Sequence, residues 1–195
     1  MKKGINRATQ KPLLEFASID KGKPCIFLSH ISLDNSLVEK IGEYIIKAGI
    51  DIYLDSKDAD LQKAVDQKND LAVTKFIEDG INKSTHLMCI ISEKTQNSWW
   101  VPYEIGYGKK ASKNIVSMNL KTIPSDKLPS YINITQHLTG IKSLNQFLKN
   151  LSMTNLNETP KTYSMNENKQ YQIAQEGSII QESYSYHPLK DYFNQ

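Results

Sequence analysis

The sequence predicts an α/β domain, a doubly wound parallel sheet of five strands followed by a C-terminal extension. Three observations carry that prediction. Short apolar runs alternate with longer stretches of helical period. Two of the runs, Cys25-Ile26-Phe27-Leu28 and Leu87-Met88-Cys89-Ile90-Ile91, are apolar throughout, as central parallel strands covered on both faces require. No internal repeat at a solenoid period is visible. Right-handed crossovers then put helices on both faces of the sheet. At 195 residues the chain reads as one medium domain, with a lead-in over 1–23, the domain over 24–151 and an extension over 152–195.

The lead-in is polar, with at most a helical turn around Leu13 to Phe16. The first strand, Cys25 to Leu28, is too short for a helix and is flanked by Pro24 and Ser29. The chain turns through Ser29-His30-Ile31-Ser32, where Ser32 is the expected N-cap and Asp34 falls in the first helical turn. Leu33, Leu37, Ile41, Tyr44 and Ile45 then recur at helical spacing until Gly49 stops the pattern. Ile50 to Asp55 alternates and reads as a strand near a sheet edge. Ser56 to Asn69 interleaves Asp58, Asp60 and Asp66 with Lys57, Lys63 and Lys68, and is expected as a mobile loop with solvated charges and at most one helical turn. Asp70 is the expected cap of a helix whose apolar stripe is Val73, Phe76, Ile77 and Ile81.

Thr85 to Ile91 is the third strand, and Ser92 to Gly108 holds the next helix, with Ser98 as cap and Pro102 in the first turn, where its missing N–H costs little. Asn114 to Leu120 is the fourth strand. After a loop with Pro124 and Pro129, Tyr131-Ile132-Asn133-Ile134 is the fifth, and Ser143 to Leu151 is a last helix with Leu144, Phe147, Leu148 and Leu151 inward. From Ser152 the composition shifts to Asn, Glu, Gln, Ser and Tyr, and five of the ten tyrosines fall there, which points to a tail docked on the domain or on a partner. A helix is expected around Asn166 to Gln175.

A net charge of +3, with both signs interspersed, leaves no electrostatic footprint for nucleic acid. No apolar stretch reaches signal-peptide or membrane-spanning length, so no membrane is expected and the location expected is the cytoplasm. Cys25 and Cys89 lie inside strand-like runs and read as reduced core thiols; nothing stands at metal-ligand spacing from them. The chemistry concentrates in Ser92 to Gly108. It emerges from a strand end, where open α/β sheets bind ligands, and Trp100 and Glu104 lie one turn apart on one face. A carboxylate beside an aromatic wall is partly desolvated, which raises its pKa and strengthens its hold on a developing cation.

These pieces resemble the Toll/interleukin-1 receptor (TIR) domains, in particular their bacterial enzyme-like branch, over roughly residues 23–151. Ile26-Phe27-Leu28-Ser29-His30-Ile31-Ser32-Leu33-Asp34 is similar to that branch's opening box, and the segment after Leu54-Asp55 stands where the family has its BB loop. Ser92, then Ser98-Trp99-Trp100-Val101-Pro102-Tyr103-Glu104, is similar to the catalytic signature of a serine, a tryptophan and a glutamate four residues on; Val101 replaces a cysteine that many members carry. The resemblance implies a flavodoxin-like fold and cleavage of the nicotinamide–ribose bond of NAD⁺, a substrate, with no further cofactor.

Glu104 is then the catalytic residue, orienting ribose hydroxyls and stabilising an oxocarbenium-like transition state, and Ser29, His30, Ser32, Trp100 and Tyr103 are the candidates for contact with NAD⁺. His30 reads equally as a loop histidine bonded to backbone, and His86 as a satisfied strand histidine. No second titratable group is aimed at the bond Glu104 would serve, which suits a leaving group that departs unprotonated. By the same resemblance the chain is the signal-producing component of a Thoeris-type antiphage system. It would assemble through TIR–TIR contacts, respond to a phage-derived trigger and reach a separate effector through a diffusible product, either a cyclic ADP-ribose isomer or an amino-acid conjugate of ADP-ribose. A non-catalytic assembly module is the alternative. A phosphoacceptor receiver would need acidic residues where Ser29-His30 stands, and a nucleoside deoxyribosyltransferase would share the catalytic glutamate.

Overall fold

A computed structural model describes residues 3–9, 22–124, 128–133, 135–154 and 180–195. The turn expected at Leu13 to Phe16, the helix expected at Asn166 to Gln175, and Ile134 lie outside the described residues. Five strands, β1 (Cys25–Ser29), β2 (Asp51–Tyr53), β3 (His86–Ile91), β4 (Asn114–Asn119) and β5 (Gln136–Leu138), pair in the order β2-β1-β3-β4-β5. Every pair is parallel. The helices are α1 (Asn35–Lys47), α2 (Ala59–Asp66), α3 (Asp70–Asn82), α4 (Trp100–Lys110) and α5 (Ile141–Thr154).

The pleat of the central strands sorts their side chains into two cores. Ile26 and Leu28 of β1 and Met88 and Ile90 of β3 join Val38, Ile41 and Ile45 of α1 and Leu144 and Leu148 of α5 on one face. Cys25, Phe27, Leu87, Cys89 and Ile91 meet Val73, Ile77 and Ile81 of α3 and Val101 and Ile105 of α4 on the other. That double cover is what the unbroken apolar runs of the sequence announce. Gly49 closes α1 with φ 87°, a left-handed conformation that glycine adopts without strain.

Several boundaries differ from the sequence expectation, each for a local reason. The polar segment after Asp55 is not a loop: α2 fills it, and Asp58 caps that helix by accepting from the N–H groups of Asp60 (3.0 Å) and Leu61 (3.2 Å). Only Leu61 and Ala64 of its eight residues are buried, so its apolar stripe is too thin to read from sequence. Asn69, not Asp70, caps α3, its side chain accepting from Ala72 N. Ser32 opens a single 3₁₀ turn over Ser32–Asp34 instead of capping α1, which leaves Leu33 68% exposed. The fifth strand is Gln136–Leu138; residues 131–133 form a turn that drops Ile132 into the core.

The lead-in also takes part in the fold. Ile52 N donates to Ile5 O at 2.9 Å, so residues 4–7 cover the outer edge of β2. Buried Arg7 pairs with Asp51 at 3.1 Å, and Lys23 reaches the other oxygen of the same carboxylate at 2.5 Å. At the other end, residues 180–195 dock as the tyrosine-rich composition suggests. Leu189 and Phe193 are fully buried in the α1/α5 core, and Asn194 O and Gln195 O accept from the first N–H groups of α5, Ile141 and Lys142, at 2.9 Å each. Gly140 passes beneath this segment with no room for a side chain, since a Cβ would lie 2.6 Å from Asn194 O. Among the described residues no helix is long and apolar enough to cross a membrane.

Docking by a buried ring makes a direct prediction. Phe193→Ala should lower unfolding free energy by about 3–5 kcal/mol, and Gly140→Ala by about 1–3 kcal/mol, in urea titrations followed by circular dichroism; an unchanged midpoint for both would mean that residues 180–195 contribute nothing to stability.

Candidate active site

The strand order turns back on itself between β2 and β3, on either side of β1, and a cleft of about 520 Å³ opens there. Three segments build it. The loop after β1 contributes His30 to Leu33 and Asn35; the end of β2 and α2 contribute Asp55, Ser56, Leu61, Gln62 and Val65; Asn97 to Trp100 and Glu104 close it from the turn before α4 and from α4 itself. Val73 and Ile77 of α3 supply an apolar floor.

Glu104 is the buried polar end of this cleft. It is 2% exposed, and Ser29, the last residue of β1, donates its hydroxyl to Glu104 Oε2 at 2.5 Å. Helical geometry explains the placement: Val101, Glu104, Ile105 and Gly108 are the buried residues of α4, and Gly108 lets the helix approach Leu87 of β3 closely. Burial, the negative charge of Asp55 and the Ser29 hydrogen bond act together on the carboxyl. The first two raise its pKa and the third lowers it, and burial leads, so it is pushed up to about 8. Asp55 is itself raised, chiefly by burial, while His30 pulls the other way.

The other sequence-nominated residues divide. His30 and Ser32 line the cleft, and the His30 ring is held by Leu28 O at 2.9 Å on Nδ1 and Asn35 Oδ1 at 2.7 Å on Nε2. Trp100 lines the mouth and is 39% exposed, with Trp99 beside it at 92%. Ser98 Oγ accepts from Val101 N at 3.2 Å and so starts α4 as expected. Tyr103 is turned away: its hydroxyl donates to Glu78 of α3 and its ring meets Trp100 edge-on at 5.8 Å, outside the cleft. Ser92 is also outside; its N–H donates to Thr95 Oγ1 and its hydroxyl accepts from Lys94 N, which shapes the turn after β3.

His86 sits at the far end of β3, bonded to Thr85 and edge-on to Phe147. Cys25 and Cys89 are free and buried, with thiol pKa values raised by burial, so neither is a reactive thiolate. Among the described residues no group of three or more His, Cys, Asp or Glu is arranged to hold a metal ion.

Sequence reasoning finds no titratable partner for Glu104, and the structure corrects this: Asp55 shares its cleft and its electrostatics. Ser56 and Asn35 were likewise missed. The usable signal was Asp55 at the carboxyl end of a strand adjoining the first, the place where open sheets gather their polar groups.

Burial of Glu104 has a thermodynamic consequence. A carboxyl that ionises less readily folded than unfolded gives its full stabilisation below its ordinary value of 4.5 and loses it as pH climbs toward about 8. Glu104→Gln keeps an acceptor for Ser29 and removes the ionisation. Its unfolding free energy should therefore exceed the wild type's by on the order of 1–3 kcal/mol at pH 8.5 and converge with it near pH 5; a gap that does not change with pH would show that Glu104 ionises as freely in the fold as in water.

The family model described as Thoeris protein ThsB, TIR-like domain, matches residues 27–124. A curated protein of Cytobacillus dafuensis, named "Putative cyclic ADP-D-ribose synthase TIR2", is 28% identical over 114 residues, which cover 57% of this chain and 28% of that protein. The chain thus corresponds to little more than a quarter of that relative's length. The family match covers half of the chain, running from β1 past β4 and taking in all three segments of the cleft, and the chain belongs to the Thoeris ThsB TIR-like domain family.

Proposed function

We propose that this chain cleaves the nicotinamide–ribose bond of NAD⁺ and passes the ADP-ribosyl group on as a nucleotide signal in antiphage defence. The observation that carries the reading is the buried Glu104 carboxyl, held by Ser29 at the closed end of a cleft whose mouth is lined by Trp100. Family membership and the name of the Cytobacillus relative, a cyclic ADP-D-ribose synthase, support it.

The chemistry follows from charge. Nicotinamide in NAD⁺ is a pyridinium and leaves as a neutral base, so the site supplies no proton to it. What the reaction requires is negative charge beside the ribose as its C1′ becomes oxocarbenium-like. An ionised Glu104 would supply that charge from a position only 2% exposed, where electrostatic interactions are strong. His30, Ser32 and Trp100 are the cleft residues that would hold the substrate, with Ser29 acting through Glu104. Capture of C1′ by an atom of the same molecule gives a cyclic ADP-ribose isomer, and capture by an amino acid gives a conjugate.

Purified protein incubated with NAD⁺, alone and with a phage lysate as trigger, should release nicotinamide measurable by liquid chromatography, and mass spectrometry should find a product other than plain ADP-ribose. Glu104→Gln should cut turnover on the order of 10²- to 10⁴-fold while leaving the fold intact. Ser29→Ala removes a hydrogen bond that favours ionised Glu104, so the acid limb of its pH–rate profile should move to higher pH. No nicotinamide release under either condition would leave the assembly-module reading in its place.

A further inference from the structure

We propose that Asp55 is a positioning residue of the cleft that, paired with Glu104, makes the site select a ligand whose base carries a positive charge. The inference rests on the NAD⁺ reading and adds to it the group that recognises the pyridinium.

Topology brings the two carboxyls together. Parallel register pairs Phe27 of β1 with Tyr53 of β2. Just past that pair, Ser29 ends β1 and holds Glu104, while Asp55 opens the 3₁₀ turn that follows β2. Asp55 and Glu104 line the same cleft, and among the described residues no lysine or arginine lines it with them. The Asp55 carboxylate is oriented by Ser56 N, which donates to its Oδ1 at 2.7 Å. Ser56 also lines the cleft, and its Oγ is buried without a hydrogen-bond partner among the described residues.

The groups around the pair are few. Glu104 accepts from the Ser29 hydroxyl and interacts electrostatically with Asp55 and the Cys89 thiol; Asp55 interacts electrostatically with His30, Asp58, Tyr53 and Glu104. His30 is the basic side chain in this set, and its ring is tied to Leu28 O and Asn35. Two neighbouring carboxyls in a site with so little counter-charge do not both ionise when it is empty; one keeps its proton. A cationic ring entering between them neutralises the second charge, and the proton leaves to solvent: a site with one COOH and one COO⁻ plus a cationic ligand becomes two COO⁻ with the ligand bound plus one H⁺. The neutral dihydropyridine of NADH offers no such compensation.

Titration calorimetry tests this at pH 7 in two buffers of different ionisation heat. The probes are carba-NAD⁺, whose ring is cationic and whose ribose oxygen is replaced by a methylene so that it is not cleaved, and NADH. Wild-type protein should bind carba-NAD⁺ at least roughly tenfold more tightly than NADH, a difference one charge contact can supply, and release a measurable fraction of a proton on doing so. Asp55→Asn keeps the acceptor for Ser56 N; it should narrow the preference to about threefold or less and reduce the proton released. Glu104→Gln should release none. Should Asp55→Asn fail a circular-dichroism check of folding, Asp55→Ser serves the same comparison. Equal affinity for the two dinucleotides, binding of carba-NAD⁺ without proton release, or an Asp55 variant unchanged in both readouts would overturn the inference while leaving a dinucleotide site standing. Failure of both dinucleotides to bind would instead sink the NAD⁺ reading and this inference with it.

Discussion

The contact between Ser29 and Glu104 joins the last residue of the central strand to the buried face of α4, and the site is arranged around it. For that hydroxyl to meet that carboxyl, β1 must end at Ser29, β3 must lie beside it, and α4 must return across the face that holds Phe27 and Cys89. A parallel sheet with right-handed crossovers meets all three demands. The functional contact is thus a consequence of topology more than of any single stretch of sequence.

Keeping a carboxyl 2% exposed opposes folding, and the structure offsets this with its two cores. The segments at either end of the described chain strengthen them. Residues 4–7 cover the β2 edge through Ile52 and anchor it with Arg7 on Asp51, while Leu189 and Phe193 complete the α1/α5 core. Asp51 lies four residues before Asp55 on the same chain segment, so the clamp that steadies β2 also steadies the carboxylate side of the cleft. By composition residues 1–23 read as a polar lead-in, yet residues 4–7 secure the strand that precedes Asp55.

What the sequence made legible follows the range of the interactions involved. β1 and β3 were readable because burial on both faces writes itself as an unbroken apolar run, and the Trp100–Glu104 relation because residues four apart on a helix share a face. α2 was not, because two buried residues among alternating charges make no period, and β5 was not, because Gln136-His137-Leu138 has only one buried side chain. Tyr103 stood among the candidates for contact with NAD⁺, but an offset of one residue from Glu104 turns a side chain about 100° around the helix, here toward Glu78. The meeting of residues 29, 55 and 104 in one cleft depends on which strands pair and where they end, which no local pattern records.

The same geometry sets the terms on which Glu104 ionises. Strengthening the hydrogen bond from Ser29 would favour the ionised carboxylate, and moving Asp55 closer would disfavour it; the two neighbours pull Glu104 in opposite directions. A site tuned for permanent ionisation would keep only the first. A site that holds a proton while empty and gives it up to a cation needs both, and it gains a carboxylate that reaches full charge only once the ring that requires it is in place. On the reading proposed above, opposed neighbours on one buried acid would couple the charge of the ligand to the ionisation of Glu104 within a single cleft.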